Sequence, residues 1–258
     1  MSHRSEFLTI GGVRTHLQHG GGGAPVLVLH PEYCGNMWHP YLDGLAAHGR
    51  VLAPDHLGFG NSERPDWLDA MDDLVLHYAD LLTALDLPRA AVVGTSFGGW
   101  IAAAFAATYP ERVSALILIG AAGLKVDGVA RYDLFLNSFE DTLPHLFHDP
   151  VRATQLLPAE YGPELIVRGY HDATTLARLA WNPYFYDPKL ERRLARISAP
   201  TLVVWGKQDT FLPLAYGEAY ARAIPGAVLR TVADCGHFVP FEQTAAFVRL
   251  ATDFLAQP

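Results

Sequence analysis

The sequence predicts an α/β fold: a mostly parallel sheet with helices on both faces, interrupted by a helical insert. Three observations point to it. Short continuous apolar runs alternate with stretches whose apolar residues recur at helical spacing, the pattern of doubly buried strands and their covering helices. One serine stands in Gly94-Thr95-Ser96-Phe97-Gly98, directly after such a run and directly before a helix-like stretch. The alternation fails from Gly123 to Ile197, where no strand pattern is evident and aromatic residues are dense.

The elements follow in order. Phe7–Ile10 and Val13–His19 read as two strands joined at Gly11-Gly12, a hairpin signal. Gly20–Gly23 reads as a flexible loop. Val26–His30 is an apolar run suited to a strand buried on both faces, and Arg50–Ala53 is another short strand. Met71–Leu85 carries Leu74, Val75, Tyr78, Leu81, Leu82 and Leu85 at helical spacing and ends before Pro88. Ala90–Val93 is a strand, Trp100–Tyr109 a helix and Val113–Ile119 a strand. Thr201–Trp205 and Val228–Val232 are later strands, with helices at Leu214–Ile224 and Phe241–Leu255. The expected division is a core of residues 1–122 and 198–258 with an insert at 123–197.

Composition narrows the function classes. The chain has 258 residues, and 50% of them are hydrophobic, enough for a full core. Only 18% are charged, which argues against disorder. Lys+Arg 19 against Asp+Glu 27 gives a net charge of −8 with no basic cluster, so nucleic acid is not an expected partner. No apolar stretch approaches the ~20 residues that span a bilayer, and Met1–Ile10 has no signal-peptide pattern. A small molecule is the expected partner, with homodimerisation left open. The two cysteines, Cys34 and Cys235, fit a cytoplasmic chain with reduced thiols. They read as small buried hydrophobes, with a disulfide or redox switch as the alternative. No metal-ligand spacing appears, and Gly20–Gly23 lacks the lysine of a phosphate loop. No metal and no cofactor are expected.

The chemistry centres on Ser96. A tight strand-to-helix turn holds a serine hydroxyl exposed, and a Cβ two residues to either side would collide with the turn. A serine hydroxyl needs a base, and the base needs an orienting carboxylate. In an open parallel sheet such groups lie on loops at the carboxyl ends of strands. Asp209 follows strand Thr201–Trp205, and His237 follows strand Val228–Val232. Alone, Asp209 could be a turn former and His237 a satisfied histidine at a helix start. Together the three residues predict a triad: Ser96 as nucleophile, His237 as base, Asp209 as orienter. The oxyanion needs backbone N–H donors. Phe97 supplies one. The loop after Val26–His30 supplies the other, and since Pro31 has no N–H, Glu32 is the expected donor. His30 reads as a structural residue holding this loop.

With these residues in place, the chain resembles the α/β-hydrolase family. The resemblance rests on the His30 loop, the segment Asp55-His56-Leu57-Gly58-Phe59-Gly60-Asn61-Ser62, the elbow around Ser96, the Asp209 loop and Gly236-His237. It covers everything but the insert. It implies that Asp55–Ser62 is a glycine turn packing under the active site, without chemistry of its own. It also implies that the insert is a cap closing over the serine. Tyr132, Phe135, Phe139, Trp181 and Tyr184 of the insert, together with Phe238, are the candidates for lining a pocket with apolar surface. The alternative is that most of them pack the insert onto the core.

Two departures stand out. The family usually has His-Gly where this chain has His30-Pro31, and the next residue is a carboxylate. A charge beside a forming oxyanion is unfavourable unless turned away or paired. The expectation is therefore a solvent-facing or salt-bridged Glu32 that donates only its N–H. The other reading is that Glu32 recognises a polar or cationic part of the substrate. Ser96 argues against dehalogenases and epoxide hydrolases, which resemble this fold but carry aspartate there. The C–C bond hydrolases of ring-fission products often carry tryptophan after the histidine, where this chain has Phe238. A cofactor-free perhydrolase would share the triad. The leading expectation is a carboxylic ester hydrolase working through an acyl-enzyme. The alternatives are a C–C hydrolase of ring-fission products and a non-enzymatic small-molecule receptor on the same scaffold.

Overall fold

The computed structural model describes residues 3–32, 34–35, 37–156 and 162–257. Strands β1 (Arg4–Ile10) and β2 (Val13–Gly20) form the expected antiparallel hairpin. Its turn is Gly11-Gly12, both with positive φ. Strands β3 (Pro25–Leu29), β4 (Arg50–Pro54), β5 (Ala90–Thr95), β6 (Val113–Ile119), β7 (Thr201–Gly206) and β8 (Val228–Val232) complete one sheet. Its order is β1-β2-β4-β3-β5-β6-β7-β8. Among the described residues only the pairings made by β2 are antiparallel; β4 through β8 run parallel.

Strands β3, β5 and β7 lie deep in this order, and their apolar runs are buried almost throughout. Burial on both faces requires covering helices. Helix α1 (Pro40–Ala46) follows β3, α2 (Met71–Ala84) follows β4, and α3 (Phe97–Thr108) follows β5. Helix α1 was not foreseen: it has seven residues and proline at its start. On α2, Leu74, Val75, Tyr78, Leu81 and Leu82 are buried as the helical spacing predicts. Helix α3 is buried along nearly its whole length. It begins at Phe97, three residues before the predicted start. Gly98 and Gly99 look like breakers in sequence, yet here they permit close packing. A Cβ on Gly98 would lie 2.3 Å from the Leu29 carbonyl oxygen and 2.4 Å from that of His30.

Between β6 and β7 the chain forms helices α4 (Phe139–Leu146), α5 (Pro150–Leu156), α6 (Pro163–Ala180) and α7 (Leu190–Leu194). Helix α6 is pinned to the Asp55–Ser62 turn. Thr175 Oγ1 donates to Gly58 O at 2.8 Å, and the Gly60 N–H donates to Asp172 Oδ1 at 3.1 Å. Arg178 reaches Asp66 O at 2.6 Å. After β7 come α8 (Ala215–Ala223), β8, α9 (Val239–Glu242) and α10 (Thr244–Leu255). The single C-terminal helix expected from Phe241 is two helices. Gln243 breaks them with φ −120° and ψ 52°, and its side-chain amide donates to Asp234 O at 2.8 Å. Among the described residues, no helix is long and apolar enough to cross a membrane.

Candidate active site

Ser96 occupies the turn from β5 into α3 with φ 51° and ψ −114°. A positive φ is costly for a residue with a Cβ. The surroundings hold it there: Ser96 N–H donates to Ile119 O at 2.9 Å, and Ser96 O accepts from Trp100 N–H at 3.1 Å and Ala122 N–H at 3.0 Å. The strained turn aims Oγ at the ends of β7 and β8.

Asp209 and His237 arrive from those two strands. Their loops are sewn together, because Lys207 N–H donates to Val232 O and Gln208 N–H to Cys235 O, at 2.8 and 2.9 Å. Gln208 Oε1 accepts the Cys235 N–H at 3.0 Å. A Cβ on Gly206 would lie 1.9 Å from Gly236 O, so only glycine permits this approach. Asp209 Oδ1 accepts the N–H groups of Phe211 and Leu212 at 2.9 and 2.8 Å. Its Oδ2 stands 2.7 Å from His237 Nδ1, and His237 Nε2 stands 2.8 Å from Ser96 Oγ. Both side chains of the Asp209–His237 pair are wholly buried. The carboxylate fixes the proton on Nδ1, which leaves the Nε2 lone pair facing the serine hydroxyl. The three residues that sequence placed on separate loops form one continuous proton path.

The opposite wall is the loop after β3. His30 Nδ1 donates to Pro31 O at 2.6 Å, and its Nε2 accepts the His56 N–H at 3.0 Å. Burial lowers the His30 pKa, and that of His56 further still. His56 in turn bonds His30 O through Nε2 at 2.8 Å and the Tyr78 hydroxyl through Nδ1. His30 is thus a neutral brace for the loop, as read from sequence. The Asp55–Ser62 turn is likewise held internally: Asp55 Oδ2 accepts the Asn61 N–H at 2.7 Å and pairs with His16 Nδ1 at 2.9 Å.

Glu32 departs from expectation. It is not solvent-facing but 1% exposed, and among the described residues it forms no salt bridge. Its Oε2 accepts the Phe97 N–H at 3.4 Å, so the carboxylate itself covers the N–H expected to serve the oxyanion. The first N–H groups of a helix have no partner within the helix and carry partial positive charge. Phe97 opens α3, and the Glu32 side chain is long enough to reach it. Cys34, nearby, and Cys235 are both free thiols. Burial first, then the charges of Glu32 and Asp172, push the Cys34 thiol up.

A family model described as "alpha/beta hydrolase fold" matches residues 17–244. This chain belongs to that family. Among curated relatives, the hydrolase is 34% identical to a 2-hydroxymuconate semialdehyde hydrolase of Pseudomonas sp. strain CF600, over 95% of this chain and 92% of the relative. It is 32% identical to a 2-hydroxy-6-oxo-2,4-heptadienoate hydrolase of Pseudomonas putida F1, over 95% and 94% of the two chains. Its backbone superposes on the meta-cleavage product hydrolase CumD of Pseudomonas fluorescens IP01 with a TM-score of 0.76, at 26% identity and 97% coverage of each chain.

The aromatic candidates of this hydrolase divide into groups. Phe238 is buried beside the histidine, with ring centroids 5.5 Å apart. Tyr132 stacks on His145 at 4.0 Å and lies 5.9 Å from Phe211. Phe135 meets Trp181, Tyr184 and Phe185 at 5.4, 5.2 and 6.1 Å, forming a cluster within the segment. Trp181 is 53% exposed, at the outer end of that cluster. Phe139 opens α4 and packs part-buried against the core. Sequence reasoning missed Phe211, whose ring lies 4.6 Å from His237 and 6.2 Å from Phe185. It links the triad to the aromatic cluster.

Sequence reasoning also missed Glu242. Its carboxylate is buried and accepts the N–H groups of Gly236 at 2.6 Å, His148 at 3.1 Å and Asp149 at 2.6 Å. The histidine loop and the α4–α5 connection are clamped on one side chain. The only signal in the sequence is a glutamate five residues after the histidine, which is too common to single out.

Proposed function

We propose that this hydrolase cleaves a carbon–carbon bond in ring-fission products of the 2-hydroxy-6-oxodienoate type. The observation that carries the reading is the pair of curated relatives, similar along 95% of the chain, whose names specify such substrates. The assembled proton path supports it, since it suits acyl transfer from a ketone as well as from an ester.

In its 2,6-diketo form the substrate presents the C6 carbonyl to Ser96. His237 Nε2 takes the hydroxyl proton as Oγ attacks C6. The C6 oxygen becomes an oxyanion held by the Phe97 N–H and by the backbone N–H of Glu32. Collapse breaks C5–C6, and the electron pair passes into a dienolate conjugated to the 2-oxo group. The proton carried by His237 goes to that departing dienolate. Water, deprotonated by the same nitrogen, attacks the acyl carbon; the acid leaves and Ser96 regains its proton. Asp209 stabilises the imidazolium at each stage. No cofactor enters the scheme. The segment between β6 and β7 acts as a cap: Ser96 and His237 are wholly buried, so substrate entry requires this segment to shift.

The test places a 6-aryl-2-hydroxy-6-oxohexa-2,4-dienoate beside p-nitrophenyl butyrate. Cleavage of the dienoate, followed by loss of its visible absorbance, should exceed ester hydrolysis in kcat/KM by about 100-fold or more. Ester turnover with the dienoate untouched would replace this reading with the carboxylesterase expected from sequence.

A further inference from the structure

The Phe97 N–H is the donor that a reacting carbonyl oxygen needs, and Glu32 Oε2 occupies it. The other oxygen, Oε1, is buried and has no hydrogen-bond partner among the described residues. Nor does any described Lys, Arg or His form an ion pair with Glu32. Buried polar groups are nearly always satisfied, and a bare buried carboxylate oxygen is costly. A buried acceptor left bare beside the Ser96 turn is where a ligand group fits.

Substrate binding changes the account at this carboxylate. The carbonyl oxygen takes the Phe97 N–H and displaces Oε2, so both Glu32 oxygens then lack a donor. A substrate carrying an N–H or O–H on the substituent beside the reacting carbonyl restores one. A substrate carrying a carboxylate there brings acceptor oxygens against acceptor oxygens and supplies no donor.

Resting on the C–C hydrolase reading, we infer that Glu32 is a specificity-determining residue. It selects ring-fission ketones whose acyl substituent bears a hydrogen-bond donor, an amine or hydroxyl, and rejects those whose acyl substituent bears a carboxylate.

The experiment compares three 2-hydroxy-6-oxodienoates differing only at C6: 2-aminophenyl, phenyl and carboxyethyl. kcat/KM is measured for wild type, Glu32→Gln and Glu32→Asp. Wild type should favour 2-aminophenyl over carboxyethyl by about 100-fold or more, and Glu32→Gln should narrow that ratio by about tenfold or more, chiefly by raising the carboxyethyl rate. Glu32→Asp, which keeps the carboxyl group, should keep the order. A wild-type preference for carboxyethyl, or a ratio unchanged in Glu32→Gln, would overturn the inference. The wild-type ranking decides the matter even where Glu32→Gln does not fold. If none of the three dienoates is cleaved, the C–C reading fails by itself. The ranking is then read on p-nitrophenyl esters of 2-aminobenzoate, benzoate and succinate, by the same criterion.

Discussion

Asp172 makes stability fall as pH rises. The residue lies on α6 and is 8% exposed. Its Oδ1 accepts the Gly60 N–H, fastening the segment above the site to the turn below. Burial pushes its carboxyl up to about 7; the Gly60 N–H opposes this, Asp55 adds to it and Arg168 opposes it again. Moving a carboxyl from 3.8 to about 7 corresponds to about 4 kcal/mol at 1.36 kcal/mol per tenfold. The direction follows from proton counting. The unfolded aspartate loses its proton near its ordinary value, the folded one near 7. Between these values the folded state holds the extra proton, so stability declines from about pH 4 to about pH 7 and is level above. Asp172→Asn removes the charge and keeps an Oδ1 to accept the Gly60 N–H. Its advantage over wild type should therefore grow by about 2–3 kcal/mol between pH 5 and pH 8, or about 5 °C in Tm for a chain of this size. The assay is thermal melting of both proteins across that range, where the difference cancels every other titrating group. A Tm difference that stays constant with pH would refute the reasoning.

Asp209→Asn should fold normally and lose about 10³- to 10⁴-fold in kcat, because the amide no longer fixes the Nδ1–H tautomer of His237; steady-state kinetics with a melting control checks it. Glu242→Gln turns an –NH2 group toward at least one of three backbone donors, at Gly236, His148 and Asp149. It should cost about 1–3 kcal/mol and lower kcat more than it raises KM, which melting and a full kinetic curve read together; an unchanged kcat in a destabilised variant would confine Glu242 to stability.

How much of this was legible follows from where each signal resides. Ser96, Asp209 and His237 could be placed because the chemistry demands a hydroxyl, a base and a carboxylate, and the strand ends in a parallel sheet are few. The β-strands could be placed because burial on both faces leaves continuous apolar runs. Helix α1 was invisible, since seven residues opening with proline carry too short a period. The α9–α10 break was invisible too: Gln243 is an ordinary helix former, and its conformation answers to Asp234 O, reached only in space. The aromatic residues of 123–197 could not be ranked. Whether a ring turns inward, as Phe185 does, or to solvent, as Trp181 does, depends on how helices α4 to α7 sit on the sheet.

Glu32 shows why a correct residue can carry an incorrect side-chain expectation. Three of the buried carboxylates near this site differ in what the fold brings to them. Asp209 receives a histidine N–H and two backbone N–H groups, and Glu242 receives three backbone N–H groups. Both are saturated, and both hold loops in place. Among the described residues, Glu32 receives one N–H at 3.4 Å and leaves an oxygen bare. Local sequence treats all three alike, as acidic residues near turns. What separates them is the number of donors that remote segments bring to each. A carboxylate saturated by the fold has nothing left to offer a ligand. One that the fold leaves short, placed on the donor the reaction needs, must exchange partners each time a substrate binds, and that exchange makes its identity matter for which substrates are accepted.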